Sequence, residues 1–476
     1  MKILYVRNIC LSFFILLVVA LTQGCKKSAA TSTDTPVLAT VTTIGTIINV
    51  TSTTAQSGGV INSIGNAAIT ADGICYSSTN TTPTTSDSKV PGTLVSNELQ
   101  FPPFTCNIIG LTPNTTYYVR AYGTNVAGTA YGAVVKFTTS SSLTAITTSV
   151  ITFAGNGAPG YVDASGTSAQ FNNPAGVTVD SKGNVYVSDT YNSIIREITP
   201  GGAVSTFAGT QPLGYNDGPV ASAQFYAPRG AAFDVQGNMY IADQGNNVIR
   251  KITPAGIVST YAGTGTAGYL NGAATSATLN NSSDSLAMFN NPQAVAVDPG
   301  GNVYVADRGN NVIRKILTTG RVITIAGTKT AGYVDATDEG ASFNNPSGVA
   351  VDNVGNVYVS DQGNSAIRKI TSSGSVSTIA GGNTQTTLLN LPSAIAMDAT
   401  GNLFIVDEGG RIFEYTTASV LYQLAGTYNT SGFTNGAGTA ALFSNPQGIA
   451  VDASGNIYVA DQYNNSIRKI TITLTN

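Results

Sequence analysis

The chain is built from short runs in which apolar and polar residues alternate, separated by turns rich in Gly, Asn, Asp, Ser and Thr. In GVAVDNVGNVYVSDQGNSAIRKI (residues 348–370), the runs GVAVD, NVYVSD and AIRKI have the period of two that is typical of half-buried strands. Asp352 opens the first turn and Gly355 stands fourth in it, an arrangement that closes a β-hairpin. A fourth strand, VSTIAG, is predicted at 376–381.

This four-strand unit, here called a blade, is written six times. A proline precedes the first strand of each copy, and successive proline numbers differ by 54, 64, 54, 46 and 54. Self-similarity at such a period indicates a propeller or a solenoid, and four antiparallel strands in each of six copies predict a six-bladed β-propeller. The marking prolines are Pro174, Pro228, Pro292, Pro346, Pro392 and Pro446.

The two ends of the repeat region are predicted to complete one blade. The fourth-strand signature occurs six times, but its first copy, TFAG at 152–155, precedes every three-strand unit. The last unit ends in SIRKITITLTN and has no fourth strand after it. Pairing of the first strand with the last unit would close the ring and remove an exposed sheet edge.

The residues NPxGVAVDxxGNVYVAD…NxxIRKI resemble NHL repeats over residues 149–476. The resemblance implies a propeller that serves mainly as an interaction platform. Blade 5, LPSAIAMDATGNLFIVDEGGRIFEY, departs from the pattern, and Glu414 is expected to stand where the other blades carry arginine.

Residues 36–139 have the strand and turn spacing of a β-sandwich. Within them, GLTPNTTYYVRAYGTNVAGTAYG (110–132) resembles the E–F corner of a fibronectin type III domain, with Leu111, Pro113 and Tyr117 in the expected order. The resemblance implies an all-β spacer domain in which the Tyr117 hydroxyl bonds to nearby backbone. Residues 140–148 are interpreted as a linker to the propeller.

The composition excludes several kinds of catalytic site, metal site and partner. The chain has no histidine, so His-based nucleophile pairs, His general bases and His-ligated zinc are excluded. A net charge of −3 gives no electrostatic basis for a nucleic-acid partner. Carboxylate chemistry and calcium held by oxygen ligands stay open. No catalytic residue, metal or other cofactor is assigned, and a monomer is expected.

A set of aspartates ends the second strand of each blade, and an arginine follows seven residues later in five of them. We predict salt bridges, since neutralised carboxylates are poor cation ligands; the alternative is a ring of carboxylates around a calcium ion. The pairs are Asp189–Arg196, Asp243–Arg250, Asp307–Arg314, Asp361–Arg368 and Asp461–Arg468, and blade 5 has Asp407.

The connections between blades repeat an aromatic residue, and the turns between second and third strands repeat an asparagine. Aromatic rings beside amides suit a sugar or peptide ligand; alternatively, each ring packs its own connection onto the blade. The candidate ligand-binding residues are Tyr161, Tyr215, Tyr269, Tyr333, Phe433, Asn192, Asn246, Asn310, Asn364 and Asn464.

The N-terminus predicts export. The apolar run at 9–21 and the following TQGCKK resemble a bacterial lipoprotein signal, which implies a signal peptide at 1–24, a lipid on Cys25 and a flexible tether at 25–35. The alternative is an ordinary secretory signal. Outside the cytosol Cys75 and Cys106 could form a disulfide or remain two buried thiols.

The leading hypothesis is a non-catalytic lipoprotein, anchored to the bacterial outer membrane and periplasmic or surface-exposed, whose propeller binds a protein or a glycan. The alternative is a metal-dependent, lactonase-like hydrolase with an Asp/Glu/Asn cluster at the central channel. A purely structural envelope component is a third interpretation.

Overall fold

The computed structural model describes residues 35–92, 103–140, 145–278, 285–382 and 388–475. The predicted signal peptide and Cys25 lie outside these residues. Within them the secondary structure is β-strand and one-turn 3-10 helix, and no helix has the length and hydropathy needed to cross a membrane. The 3-10 helices are Gly166–Ser168, Gln244–Asn246, Ser276–Thr278, Arg308–Asn310, Asp338–Gly340, Gln362–Asn364, Gly438–Ala440 and Gln462–Asn464.

The N-terminal region is a sandwich of two antiparallel sheets. In one sheet β3 pairs with β1, β2 and β6, and in the other β7 pairs with β4, β8 and β9 while β5 extends β4. Ile74, Ile108 and Val119 are among the side chains buried between them. The strands are β1 (Thr40–Thr43), β2 (Ile47–Ile48), β3 (Thr54–Ser63), β4 (Ala71–Ser77), β5 (Ser88–Pro91), β6 (Phe104–Ile109), β7 (Thr116–Asn125), β8 (Gly128–Tyr131) and β9 (Val135–Thr138).

Two predictions about the sandwich concern single side chains. The Tyr117 hydroxyl accepts a hydrogen bond from the backbone N–H of Thr112 at 3.0 Å, as predicted. Cys75 and Cys106 are both buried and unbonded, so the structure contains two thiols and not the disulfide. They lie on strands of different sheets, and burial raises the pKa of Cys106 to about 12.

The remaining strands form six four-stranded antiparallel sheets around a common centre, which confirms the predicted all-β propeller. The first strands of the blades line the centre. Blade 1 consists of β11 (Pro174–Val179), β12 (Val185–Asp189), β13 (Ile194–Ile198) and β14 (Val204–Ala208). Blade 2 consists of β16 (Pro228–Phe233), β17 (Met239–Asp243), β18 (Val248–Ile252) and β19 (Ile257–Ala262), and blade 3 of β21 (Pro292–Val297), β22 (Val303–Asp307), β23 (Val312–Ile316) and β24 (Arg321–Ala326). Blade 4 consists of β25 (Pro346–Val351), β26 (Val357–Asp361), β27 (Ala366–Ile370) and β28 (Val376–Gly381), and blade 5 of β29 (Pro392–Met397), β30 (Leu403–Asp407), β31 (Arg411–Tyr415) and β32 (Val420–Ala425). Blade 6 consists of β34 (Pro446–Val451), β35 (Ile457–Asp461) and β36 (Ser466–Thr475), with β10 (Ala145–Ala154) as its fourth strand. Three short strands lie in the connections between blades: β15 (Gly218–Pro219), β20 (Gly272–Ala273) and β33 (Gly436–Ala437).

The ring closes as the sequence predicts. β10 pairs antiparallel with β36, with Val150 opposite Ile470. The pairing extends back to Ala145, opposite Thr475, so residues 145–148 belong to blade 6 and not to the expected linker. The two ends of the repeat region therefore complete one blade together, and paired strands close the ring.

The hydrophobic core of the propeller lies between neighbouring blades. One cluster joins Tyr186 and Ile195 of blade 1 to Met239 and Ile241 of blade 2, and other blade pairs repeat the arrangement. A fully buried phenylalanine from the connection that enters each blade fills these interfaces, apart from blade 5, where Leu389 is buried instead. These phenylalanines are Phe171, Phe225, Phe289, Phe343 and Phe443.

A strand of the sandwich pairs with the outermost strand of blade 5, where a short strand from the connection pairs in other blades. In blades 2, 3 and 6, the short strands β15, β20 and β33 pair with the edge of the outermost strand. The connection into blade 5 is shorter, because its proline interval is 46 and not 54 residues. There β2 of the sandwich pairs in parallel with β32, with Ile48 beside Leu421. The sandwich and the propeller thus share a sheet.

Candidate functional site

Five blades bury a complete Asp–Arg ion pair, which confirms the predicted salt bridges. In blade 2, Arg250 Nη1 donates to Asp243 Oδ2 at 2.9 Å, and neither side chain is exposed. Burial raises the pKa of these aspartates, to about 6 for Asp189, because the desolvation outweighs the neighbouring guanidinium and donors. The other distances are 3.0 Å for Arg196–Asp189, 2.8 Å for Arg314–Asp307, 2.6 Å for Arg368–Asp361 and 2.7 Å for Arg468–Asp461.

The same guanidinium group fastens the connection between blades. Arg250 Nη2 donates to Asn216 O at 2.8 Å and Asp217 Oδ1 at 2.6 Å, and Nη1 donates to Gln224 O at 2.8 Å. The ring of aspartates is therefore engaged by arginines and not open to a cation. Within the described ranges, no group of three or more Asp, Glu, Cys or His side chains is placed to hold a metal ion.

The repeated tyrosines and asparagines complete this arrangement. The Tyr215 ring lies 5.3 Å from the Arg250 guanidinium carbon, and Asn246 Nδ2 donates to Gly214 O and Asp243 Oδ2 at 2.8 and 2.9 Å. These contacts agree with the alternative in which each ring packs its own connection onto the blade. Ligand binding by the exposed ring faces stays a prediction. The equivalent aromatics Tyr161, Tyr269, Tyr333 and Phe433 lie 5.3, 5.0, 5.0 and 5.2 Å from their arginines, and Asn192, Asn310, Asn364 and Asn464 make the same two bonds.

Blade 5 requires a correction. Its turn between the second and third strands is one residue shorter, so Phe413 and not Glu414 lies opposite Ile405, where Arg250 lies opposite Ile241 in blade 2. Arg411 supplies the guanidinium group instead, and its Nη2 lies 2.6 Å from Asp407 Oδ2. All six aspartates are thus neutralised by an arginine.

The central channel is narrow. Its cavity measures about 60 Å³ and is lined by the first strands of all six blades. A Cβ atom on Gly176 would lie 2.1 Å from the backbone oxygen of Arg229, and one on Gly448 would lie 2.3 Å from that of Ala175. A cavity of this size suits water-sized molecules. A larger ligand is confined to the channel mouth.

The mouth lies on the insert face, which we define as the face carrying the connections between blades and the turns between second and third strands. Each blade contributes the second residue of its first strand and the residue after its buried aspartate. These positions differ from blade to blade although the framework around them repeats. In blade order they are Ala175 and Thr190, Arg229 and Gln244, Gln293 and Arg308, Ser347 and Gln362, Ser393 and Glu408, and Gln447 and Gln462.

Hydrogen bonds connect seven of these side chains into two segments, Arg229–Gln244–Gln293 and Arg308–Gln362–Glu408–Gln447, which together we call the belt. Arg229 Nε donates to Gln244 Oε1 at 3.0 Å. Glu408, on the blade three places further round, accepts from Gln362 Nε2 at 2.7 Å and from Gln447 Nε2 at 2.9 Å. The belt is weakest at blade 1, where Ala175 has no polar side chain. The remaining links are Gln244 to Gln293 at 2.8 Å and Arg308 to Gln362 at 3.0 Å.

Three exposed tyrosines rise beside the belt on blades 6, 1 and 2, and we call them the tyrosine arc. Tyr463 and Tyr191 are 62% and 65% exposed, and they follow the buried aspartate by two positions. Tyr226, 43% exposed, packs its ring against Gly245. Burial and the charge of Arg308 lower the pKa of Arg229, and the charge of Glu408 raises it. At the positions of Tyr191 and Tyr463, the other blades have Gly245, Gly309, Gly363 and Gly409.

The arc and the belt were not among the residues predicted from the sequence. The predicted aromatics recur in five of the six blades, whereas the residues of the arc and the belt are those at which the blades differ. The signal was available in the second turn, which reads DTYN in blade 1 and DQYN in blade 6 but DQGN or DRGN in blades 2 to 4.

A family model described as NHL repeat matches residues 171–196, 289–316, 343–370 and 443–470. The chain therefore carries NHL repeats in blades 1, 3, 4 and 6. Among curated proteins, Protein SUPPRESSOR OF QUENCHING 1, chloroplastic, from Arabidopsis thaliana is 31% identical over 158 residues. The match covers 31% of this chain and only 15% of that protein.

One solved structure shares the fold, and another is similar at a lower TM-score. A structural genomics protein of unknown function from Bacteroides thetaiotaomicron is 17% identical, with 93% of this chain and 99% of that chain covered at a TM-score of 0.52. An auxiliary nutrient binding protein from the same organism is 14% identical, with 92% and 98% covered at a TM-score of 0.38.

Proposed function

We propose that this NHL-repeat propeller binds a glycan over its channel mouth, as a non-catalytic protein held at the bacterial cell envelope. The observation that carries the proposal is the tyrosine arc. Aromatic faces beside hydrogen-bonding side chains suit sugars, because the ring contacts the apolar face of the sugar and the polar groups fix its hydroxyls. Gln293 and Gln447 supply such groups at the rim of the cavity.

The neutralised aspartates favour this function over the hydrolase alternative. An acid-only metal site needs unpaired oxygen ligands that converge, and each buried aspartate is instead engaged by an arginine. The mouth has one carboxylate, Glu408, and two glutamine amides occupy one of its oxygens. This arrangement suits recognition of hydroxyl groups.

The test is binding of the purified full chain to a glycan array and a protein array, followed by titration of the selected ligand. Tyr191→Ala and Tyr463→Ala are each expected to weaken glycan binding about fivefold, since a stacked ring contributes on the order of 1 kcal/mol. Tyr215→Ala, from the repeated set, is the control and should bind normally. Capture of a protein alone, or unchanged affinity in both arc variants, would reject the glycan site.

Anchoring through Cys25 is part of the same proposal and is supported by the resemblance of the N-terminus to a lipoprotein signal. We expect cells fed a labelled fatty acid to label the wild-type protein and not Cys25→Ser, with both detected by antibody. Equal labelling of the two proteins would contradict the anchor, and absence of label in both would favour an ordinary secretory signal.

A further inference from the structure

The channel mouth contains two arginines that differ from the other buried arginines of the propeller. Every guanidinium at the strand junctions is ion-paired with an aspartate. Arg229 and Arg308 have no carboxylate within ion-pair distance among the residues that the structure describes. Their hydrogen bonds there are to Gln244 Oε1 and Gln362 Oε1. Neutral amides orient the two groups without cancelling their charge.

Both arginines are belt residues of the channel mouth. They stand on neighbouring blades 2 and 3, and Arg229 also lines the central cavity. Both are partly buried. The charge of Arg308 lowers the pKa of Arg229, and the charge of Glu408 raises the pKa of both arginines. Two partly desolvated cations that share one carboxylate leave a net positive charge at the mouth, which an anionic ligand would offset. Glu408 is the only acidic belt residue among those that the structure describes. Gln362 joins it to Arg308, because this amide accepts from Arg308 Nη2 at 3.0 Å and donates to Glu408 Oε1 at 2.7 Å.

We propose that the glycan bound at the mouth is anionic, and that its carboxylate or sulfate group is held by Arg229 and Arg308. This inference rests on the proposed glycan site and adds the ligand class. Guanidinium groups bind planar carboxylates and sulfate through paired N–H donors, and the bond strengthens where water is partly excluded. The tyrosine arc then stacks the sugar ring that carries the charge, and the second carboxylate oxygen of Glu408 accepts from a sugar hydroxyl.

The experiment uses matched ligands on the full chain: a galacturonic acid oligomer, its methyl ester and a sulfated galactan oligomer. Titration calorimetry should give about tenfold or greater weakening for the neutral ester, because it loses a charge-assisted bond. Arg229→Gln and Arg308→Gln should each remove the difference between acid and ester. Lys182→Gln, which deletes an exposed lysine in a turn on the opposite face, is the control and should keep that difference. Comparison with the sulfated oligomer identifies which anion the pair prefers.

The possible results separate the two proposals. If acid, ester and sulfated oligomers bind equally, the anionic inference fails while the glycan site stands. If none of them binds and the protein array yields the ligand, both fail. Arg229→Lys keeps the charge and loses the planar fork, so weakened binding with an unchanged melting temperature would attribute the effect to recognition and not to folding. Full affinity in Arg229→Gln would overturn the inference outright.

Discussion

At the scale of the residue, each buried arginine is the point where one blade is tied together. Arg250 joins the second strand, through Asp243, to two parts of the connection, through Asn216 and Gln224. Desolvation makes such an ion pair costly to build, which the raised aspartate pKa reflects. Its removal on one side is costlier still, because a charge is left buried without its partner.

We therefore expect Arg250→Met to lower the free energy of unfolding by about 3–5 kcal/mol, the range for removing one partner of a buried pair. Lys251→Met changes the next residue on the same strand, which is only half-buried, and should cost less than about 1 kcal/mol. Guanidinium chloride unfolding of both variants measures the difference. Equal losses would mean that Asp243 is satisfied by its other donors, and that the arginine is replaceable.

The same scale shows how far the sequence predicts the site. Turn chemistry and ion pairs follow from spacing alone: Asp352 Oδ1 accepts from the N–H groups of Val354 and Asn356 at 3.1 and 2.8 Å, as its place in the turn requires. The channel mouth does not follow, because residues of different blades, such as Gln244 and Gln293, meet only when two blades pack side by side. Nothing in the spacing within one repeat encodes that contact.

At the scale of the element, a turn that is one residue shorter changes which residue of blade 5 occupies the arginine position. Counting seven residues from Asp407 gives Glu414, but the shorter turn moves Phe413 into the arginine position. Counting succeeds in the blades whose turns have the same length and fails where a residue is deleted. The compensating Arg411 lies four residues from its aspartate and not seven.

Docking of β2 on blade 5 is also an element-scale feature. Ile48 packs against the apolar cluster that holds Leu389 and Leu421, and the N–H of Asn49 donates to Leu421 O at 3.2 Å. No sequence pattern predicts this parallel pairing, since β2 has two residues and its partner is far along the chain. Only the short proline interval before blade 5 hints that its outer edge needs another cover.

We expect Ile48→Asp to undock the sandwich, because the carboxylate would lie unpaired in an apolar cluster. Amide hydrogen exchange at 420–425 should then become about tenfold faster or more, while exchange in β17 stays unchanged. Ile109→Asp places the same substitution on β6 of the same domain, where the side chain is 73% exposed, and serves as the control. Unchanged protection of β32 in Ile48→Asp would contradict the shared sheet.

At the scale of the whole molecule, the propeller combines a symmetric frame with an asymmetric surface. Each blade repeats its turn aspartate, its strand-junction ion pair and its packing between neighbours, and this repetition is what allows the fold to be predicted from one chain. The tyrosine arc and the belt occupy positions that the frame leaves free to vary. These positions can therefore recognise a ligand without sixfold symmetry.

Pairing of β10 with β36 also sets the timing of assembly. During translation the nascent chain completes blades 1 to 5 while the partner of β10 is still unmade, so β10 stays unpaired and the growing propeller is an open arc. The ring can be sealed only when β36 has left the ribosome. A chain released before that point keeps a strand acceptor at one end and a strand donor at the other, which is the geometry for exchange of strands between two copies.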